Sequence, residues 1–398
     1  MPWNERSVIG ERRRLVLVLL RKEKSVRYWC RVFGVSRKTA YKWKQRFIQG
    51  GQRGLADRAR RPERMPRRLK GQAIKRIEYW RRKHADWGPK KLRVQMQRRG
   101  RRSPSARTIA RWIKRLGLVD APPRRPPKAC VRAHRRLTKA RRPNHVWTVD
   151  FKGWFRTGNG ERCEPLTVRD LFSRYGLVVR LLPTQHWGPV QAVFTKLFQA
   201  VGRPQIIRVD NGGPFASVGP AGLSRLSVWW LRLGIVVEFT RPGCPQDNGA
   251  HEQFHRVMKR ETIRPAAWSR RGQQHRTTIW LKDYNRNRPH EALGQRRPRE
   301  LYRKSRRRFP ARLLTLPYRS IEQVRRVRSN GEIRWGGRKR FVGEAFVGQQ
   351  VALRGLRRGV WSVYFTKLLI GHLHQQDVGA MRPALYRHRR SNHPKPKV

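Results

Sequence analysis

The chain has 398 residues, more than one core commonly fills, which predicts two to four domains. Its 96 Lys and Arg stand against 24 Asp and Glu, and the formal net charge of +72 is spread along the whole length, so the partner implied is a polyanion. The longest clean apolar run, Leu15–Leu20, is too short to span a bilayer and lies between Arg12–Arg14 and Arg21–Lys24, a pattern that excludes a membrane span and a secretory signal and predicts a cytoplasmic protein with no membrane partner.

Residues 7–50 carry a helix-turn-helix pattern. A helix containing Trp29, Val32 and Phe33 is followed by Gly34 and Val35, and Ser36 is a natural cap for the next helix. There Ala40, Trp43 and Phe47 face inward, leaving Arg37, Lys38, Lys42 and Gln45 outward as candidate DNA contacts in a major groove. The first domain is set at 1–57, with a basic linker at 58–69 that includes Arg58–Pro62. A second helix-turn-helix unit is predicted over 70–120. Leu92 and Met96 mark one helix, Ser103-Pro104 reads as cap and first-turn proline of another, and Ile109, Trp112, Ile113 and Leu116 recur behind it. Arg107 and Arg111 are its candidate DNA contacts. Pro122, Pro123, Pro126, Pro127 and Pro143 then break any helix across a linker at 121–143.

From 144 to 303 the pattern becomes α/β. Strands are predicted at 145–151, 165–168, 176–182, 205–209 and 235–239, and helices near 188–201, 222–233 and 249–263, which implies a mixed sheet. Over 316–380 five short runs, 333–335, 340–342, 350–353, 361–365 and 368–370, separated by glycine turns, predict a small β-barrel or sandwich. The basic tail at 381–398 reads as disordered. Cys30, Cys130, Cys163 and Cys244 form no Cys-x-x-Cys pair and read as free thiols.

Acidic residues are scarce, so their positions are informative. Asp150 lies inside Trp147–Phe151, Asp210 ends the apolar run Ile206–Val209, and Glu252 falls in the first turn of a helix launched by Asn248-Gly249. Three carboxylates converging on one point repel by roughly 4 kcal/mol per pair at ~4 Å and an effective dielectric near 20. Hard divalent cations relieve that, and all-oxygen ligation favours Mg²⁺ or Mn²⁺, two of which serve phosphoryl transfer. His251-Glu252-x-x-His255 also matches the zinc-protease pattern, but the helix begins too close to His251, no downstream His extension follows, and a +72 chain has no use for its charge in peptide hydrolysis. His251 is instead read as a substrate-phosphate contact and His255 as a partner behind the carboxylates, with Asn248 and Lys259 as further DNA contacts. Asp170 is read as capping a strand turn, and Trp147 and Trp187 as core residues.

Asp150, Asp210-Asn211-Gly212 and Arg241-Pro242-Gly243-x-Pro245-x-x-Asn248-Gly249-x-x-Glu252 together resemble the integrase-type catalytic core of the insertion sequence 481 family of transposases. The resemblance extends to Ser36–Thr39 and Gly54–Arg58 before the core, to Tyr284-Asn285-x-x-Arg288-Pro289-His290-x-Ala292-Leu293 after it, and to Asn330–Ile333 near the end. It implies a multidomain α + α/β + β chain with a ribonuclease H-like core, and a DDE triad of Asp150, Asp210 and Glu252. The chemistry implied is metal-dependent cleavage of element ends followed by strand transfer, by a bacterial, nucleoid-associated homo-oligomer on double-stranded DNA that needs no small-molecule cofactor. A DNA-binding relic with an inactive core, and a nuclease that cuts without joining, are the alternatives. The 41 residues between Asp210 and Glu252 make this interval long, and Gly219–Trp230 is read as the insertion responsible.

Overall fold

The structure, a computed structural model, describes residues 7–57, 69–98, 102–119, 137–241, 244–313, 316, 318, 319 and 322–384. The linkers at 58–68 and 121–136, Pro242-Gly243, Cys130 and the tail from 385 lie outside them. Two compact units, 1–69 and 70–398, make up the chain.

In the first unit, α1 (Val8–Arg21), α2 (Val26–Val32) and α3 (Arg37–Gly50) pack around Leu15, Leu19, Cys30 and Ala40, with Val16, Trp43 and Leu55 beside them. Gly34, at φ +61°, makes the turn between α2 and α3, and Ser36 Oγ caps α3 by accepting the Thr39 N–H at 3.2 Å. Arg12 closes the unit from α1 by pairing with Asp57 at 3.0 Å and donating to the Leu55 carbonyl at 2.8 Å.

The second unit begins with three more helices, α4 (Gly71–Lys83), α5 (Pro89–Gln97) and α6 (Ala106–Arg115), in which Ile77, Trp80, Leu92, Met96, Ile109 and Ile113 are buried, as is Trp87 between α4 and α5. The cap of α6 is Ser105, not Ser103. The extended Ser105 backbone lets Oγ accept the Thr108 N–H at 3.1 Å, so Pro104 stays outside the helix. Ser105-x-x-Thr108 repeats Ser36-x-x-Thr39, down to a 2.9 Å contact between the two hydroxyls in each. That repeat was the legible signal for the cap.

The central sheet is built from β1 (Val146–Phe151), β2 (Phe155–Arg156), β3 (Arg162–Asp170), β4 (Gly176–Leu182), β5 (Ile206–Val209) and β6 (Val236–Phe239). Its order is β2-β3-β1-β5-β6 with β4 on β3; β3 pairs antiparallel with β1, β2 and β4, while β5 and β6 are parallel to β1. Helix α7 (Trp187–Val201) connects β4 to β5 and buries Val190, Phe194, Leu197 and Phe198, an i, i+4, i+7, i+8 stripe, against Trp147, Val149, Ile207 and Val209. Trp187 is not core: it starts α7 and is 43% exposed. Helices α8 (Arg225–Arg232), α9 (Gly249–Met258), α10 (Arg270–Asn287) and α11 (Pro298–Leu301) follow, with a single π turn at Lys259–Ile263 after α9.

The C-terminal region holds β7 (Gln323–Arg326), β8 (Glu332–Trp335), β9 (Arg338–Phe341), β10 (Gln350–Arg357), β11 (Val360–Phe365), β12 (Leu368–His374), β13 (Gly379–Ala380) and β14 (Arg382–Pro383). They form a five-stranded sheet, β14-β12-β11-β10-β7, and a three-stranded one, β13-β9-β8, over one shared core. Neither closes into a barrel among the described residues. That core is completed from outside by Leu223 and Val228, each 2% exposed, which belong to the interval between Asp210 and Glu252. No helix among the described residues is long and apolar enough to cross a membrane.

Candidate active site

Asp150 and Asp210 are brought together by the parallel pairing of β1 with β5. Thr148 opposite Arg208 is the last paired position, and Asp150 and Asp210 each lie two residues beyond it, close enough for the Asp210 charge to act on Asp150. Both are half-buried. The Asp210 carboxylate accepts the Gly212 N–H at 3.2 Å, and a Cβ on Gly212 would sit 3.3 Å from its oxygen, so the tight turn at Asp210-Asn211-Gly212 favours glycine at its third position. Asn211 donates to the Thr240 carbonyl at 2.8 Å and ties this turn to the end of β6.

Helix α9 brings the third carboxylate. Arg241 and Asp247 pair at 2.5 Å across the loop that precedes it, and Arg169 of β3, fully buried, donates to the Ala250 carbonyl and lies 4.7 Å from the Phe254 ring. Glu252 is exposed in the first turn of α9, where the N-terminal end of the helix dipole favours a carboxylate. His251 and His255, one turn apart, face the sheet. His251 is fully buried, with Nδ1 at 2.8 Å from Thr148 Oγ1 and Nε2 at 2.6 Å from Thr167 Oγ1, so the expected phosphate contact is corrected: this ring has no surface to offer DNA. His255 Nε2 is also 2.6 Å from Thr167 Oγ1, and its Nδ1 lies 3.7 Å from Asp150 Oδ2.

Thr167 is therefore a hub joining β1, β3 and α9. Its hydroxyl has one proton to give, and donating it to the Asp150 carbonyl at 2.9 Å leaves two acceptor sites for an Nε2–H from each imidazole. His251 Nδ1 then accepts from Thr148, so both ring nitrogens of His251 and the Nε2–H of His255 are satisfied with both rings neutral. Burial, reinforced by the charges of His255 and Arg169, holds His251 well below the usual histidine range; burial with Lys152 and Arg169 pushes His255 down to about 3. Asp150 moves the other way. Burial and the neighbouring Asp210 charge, with a smaller contribution from Glu252, outweigh the Phe151 N–H and Lys152 and push its carboxyl up to about 7.

Asp150, Glu252 and His255 line a cavity of about 450 Å³ together with Phe151, Lys152, Arg256 and Lys259. Lys152 and Arg256 were not singled out in the sequence, because in a chain so rich in cations no single Lys or Arg stands out. Asn248 donates to Asp150 Oδ2 at 3.3 Å, and its own Oδ1 is buried without a hydrogen-bond partner. Among the described residues no three His, Cys, Asp or Glu side chains are close enough to form a finished metal cage. The donor chemistry nonetheless fits a hard cation: carboxylates whose charges already act on one another, beside an unpartnered amide oxygen.

Other candidates fall in different places. Arg37, Lys38, Lys42 and Gln45 are exposed on α3, and Arg107 and Arg111 are exposed on α6. Asp170 caps a turn: Oδ1 accepts the Asn144 N–H and Oδ2 the Ser173 N–H, both at 2.7 Å. Cys30 and Cys163 are buried free thiols, and Cys244 is buried as well.

Family models match most of the chain. A helix-turn-helix domain matches residues 11–63, a homeodomain-like domain 39–113, integrase core domains 140–245 and 233–298, and the C-terminal domain of IS481 family transposases 322–377. An uncharacterized 31.7 kDa protein of insertion element IS407 from Burkholderia multivorans is 27% identical over 222 residues, 55% of this chain and 76% of that protein. An uncharacterized 39.2 kDa protein of insertion element IS476 from Xanthomonas euvesicatoria is 29% identical over 177 residues, 43% of this chain and 48% of that protein. The HTLV-2 integrase catalytic core domain in complex with magnesium (trimeric form) is 15% identical, with a TM-score of 0.32, covering 41% of this chain and 99% of that one. Helix-turn-helix domains, an integrase core and a domain matching the C-terminal domain of IS481 family transposases follow one another along the chain, and with the insertion-element relatives they support a DNA transposase with helix-turn-helix DNA-binding domains.

Proposed function

We propose that Asp150, Asp210 and Glu252 are the catalytic triad of this transposase, and that they hold divalent metal, Mg²⁺ or Mn²⁺ and two ions in number, for cleavage of element ends and their joining to target DNA. The observation that supports this most is the closeness of Asp150 and Asp210 at the ends of β1 and β5, with α9 locked over them by Thr167. Such ions, when bound, activate the attacking oxygen and stabilise the leaving one in an in-line displacement.

The chain's own residues do the rest. Thr167, His251 and His255 keep Glu252 registered against the two aspartates. Lys152, Arg256 and Lys259 ring the cavity with positive charge where a phosphodiester must sit. The exposed faces of α3, with Arg37, Lys38, Lys42 and Gln45, and of α6, with Arg107 and Arg111, each bind element-end DNA through the major groove. Joining two ends to one target needs two such centres held together, so the working form is a homo-oligomer on DNA, acting in the bacterial cytoplasm at the nucleoid.

The test is incubation of the protein with a labelled duplex carrying its own flanking ends, a supercoiled target and Mg²⁺, beside Asp210→Asn and Glu252→Gln. Joined products from the unmodified chain, lost in both variants while DNA binding survives, are the expected result. Cleavage without joining would make it a nuclease, and binding without cleavage under any divalent metal a DNA-binding relic.

A further inference from the structure

Two tryptophans are not absorbed by any core: Trp154, close in sequence to the cavity-lining Lys152, is 57% exposed, and Trp268 is 75% exposed. Trp154 follows β1 closely, two residues beyond Lys152, which lines the cavity. Two guanidiniums lie over its ring, that of Arg162 at 5.0 Å from the centroid and that of Arg156 at 5.9 Å. These arginines are cross-strand partners in the hairpin of β2 and β3, so the clamp is built into the sheet. The hairpin tip is fixed in turn. The Gly158 N–H donates to the Ala267 carbonyl at 3.0 Å, the Asn159 N–H to the Trp268 carbonyl at 2.8 Å, and the Arg270 N–H to Glu161 at 2.8 Å. A Cβ on Gly158 would lie 2.9 Å from the Trp268 ring, so the second indole sits against the same ledge.

An open indole held among guanidiniums selects its occupant. A second copy of this chain, itself at +72, would bring like charge to an arginine-bearing face, and the carboxylates here already have partners: Glu161 pairs with Arg270 and Glu164 with Arg162. A nucleic acid strand brings both complements at once, phosphate for the exposed Arg156 guanidinium and a planar base for the indole. Inside a duplex the base faces are covered by their neighbours, so the ring can take only a base that has left the stack.

We propose that Trp154, clamped by Arg156 and Arg162, is a stacking platform for a nucleobase extruded from the DNA strand beside the cleavage point, with Trp268 extending the same surface. This rests on the reading of the triad as the DNA-cutting centre. The platform lowers the cost of unpairing next to the scissile phosphate, and a strand already unpaired there has no need of it.

The experiment uses the full chain with Trp154→Ala, Trp154→Phe and Trp268→Ala, on duplexes carrying 5-iodouracil at each position flanking the cut in turn. Binding and photocrosslinking are read with Asp210→Asn as a non-cutting background, and cleavage in the Asp210 protein. Irradiation should crosslink one flanking position to Trp154. Trp154→Ala should cut about tenfold more slowly, the size of one lost base–aromatic stack, with duplex affinity nearly unchanged. Trp154→Phe should keep most of the rate, and a mismatch at the crosslinked position should restore Trp154→Ala. Absence of any crosslink to Trp154, an unchanged rate in Trp154→Ala, or a change confined to oligomeric state would overturn the platform. Binding without cleavage by the unmodified chain would sink the triad reading instead, and the crosslink would still report on the platform.

Discussion

At Asp150, burial and like charge act in the same direction, and this has a measurable consequence. Its carboxyl titrates near 7 in the folded, metal-free protein and near 4 when unfolded, so the folded state holds the extra proton. The contribution is fully present below pH 4 and is lost as pH rises through 7, at about 1.4 kcal/mol per pH unit within that window. Metal-free protein should therefore lose stability relative to Asp150→Asn between pH 4 and 7, read by urea unfolding in EDTA; a constant difference across that range would refute the buried, charge-coupled environment. The scarcity of carboxylates made Asp150, Asp210 and Glu252 conspicuous in the sequence. His251 was misread because a histidine beside a catalytic-looking glutamate gives no sign of facing inward; only the packing of α9 on β1 and β3 decides that, and Thr167, the residue both imidazoles meet, is 84 positions away from His251. Trp187 failed in the opposite sense, as an apolar residue left 43% exposed at a helix start.

Among the elements, the interval between Asp210 and Glu252 does more than lengthen the spacing of the motif. It supplies α8 and the turn before it, and Leu223 and Val228 are embedded in the core of the C-terminal sheets, while Pro220 sits 3.2 Å from where a Cβ on Gly343 would be. The sequence showed an insertion of uncertain structure; that it is a platform for another region depends on contacts between residues more than a hundred positions apart. Val228→Asp should place an unpaired charge in that interface, at a cost of several kcal/mol. Limited proteolysis should then cut within 322–384 well before the central sheet, whereas Val236→Asp, at a site 56% exposed, should leave the pattern unchanged. Helix α10 was not foreseen because its buried face, Gln273, Thr277, Trp280 and Tyr284, is half polar, and apolar periodicity was the signal sought. A second polar device missed in the sequence is the clamp before β1. Arg208 and Glu238 pair at 2.7 Å between β5 and β6 while bonding the two backbone groups of Thr138, at 2.6 Å and 2.8 Å.

For the whole molecule, +72 sets the physics of association. About ten phosphate contacts would give a slope near −9 in log affinity against log salt concentration, and removing one phosphate-contacting cation should reduce it by about 0.9. Lys42→Ala, on the exposed face of α3, is expected to show that reduction with duplex element ends in filter-binding or fluorescence titrations. A nearly flat salt response in the unmodified protein would contradict the polyanion reading at its root.

By itself the sequence determined the class of partner and the order of helical, α/β and β regions, and it singled out three carboxylates as candidates, because net charge, hydrophobic period and rare acids in strand and helix-start contexts are local properties. Only the tertiary structure decided which strands lie side by side, that two imidazoles share one threonine, that the insertion packs into the core of the C-terminal sheets, and that Trp154 stays exposed between two arginines. Each of these depends on which distant residues share a surface, and burial and hydrogen-bond satisfaction are settled only when those surfaces meet.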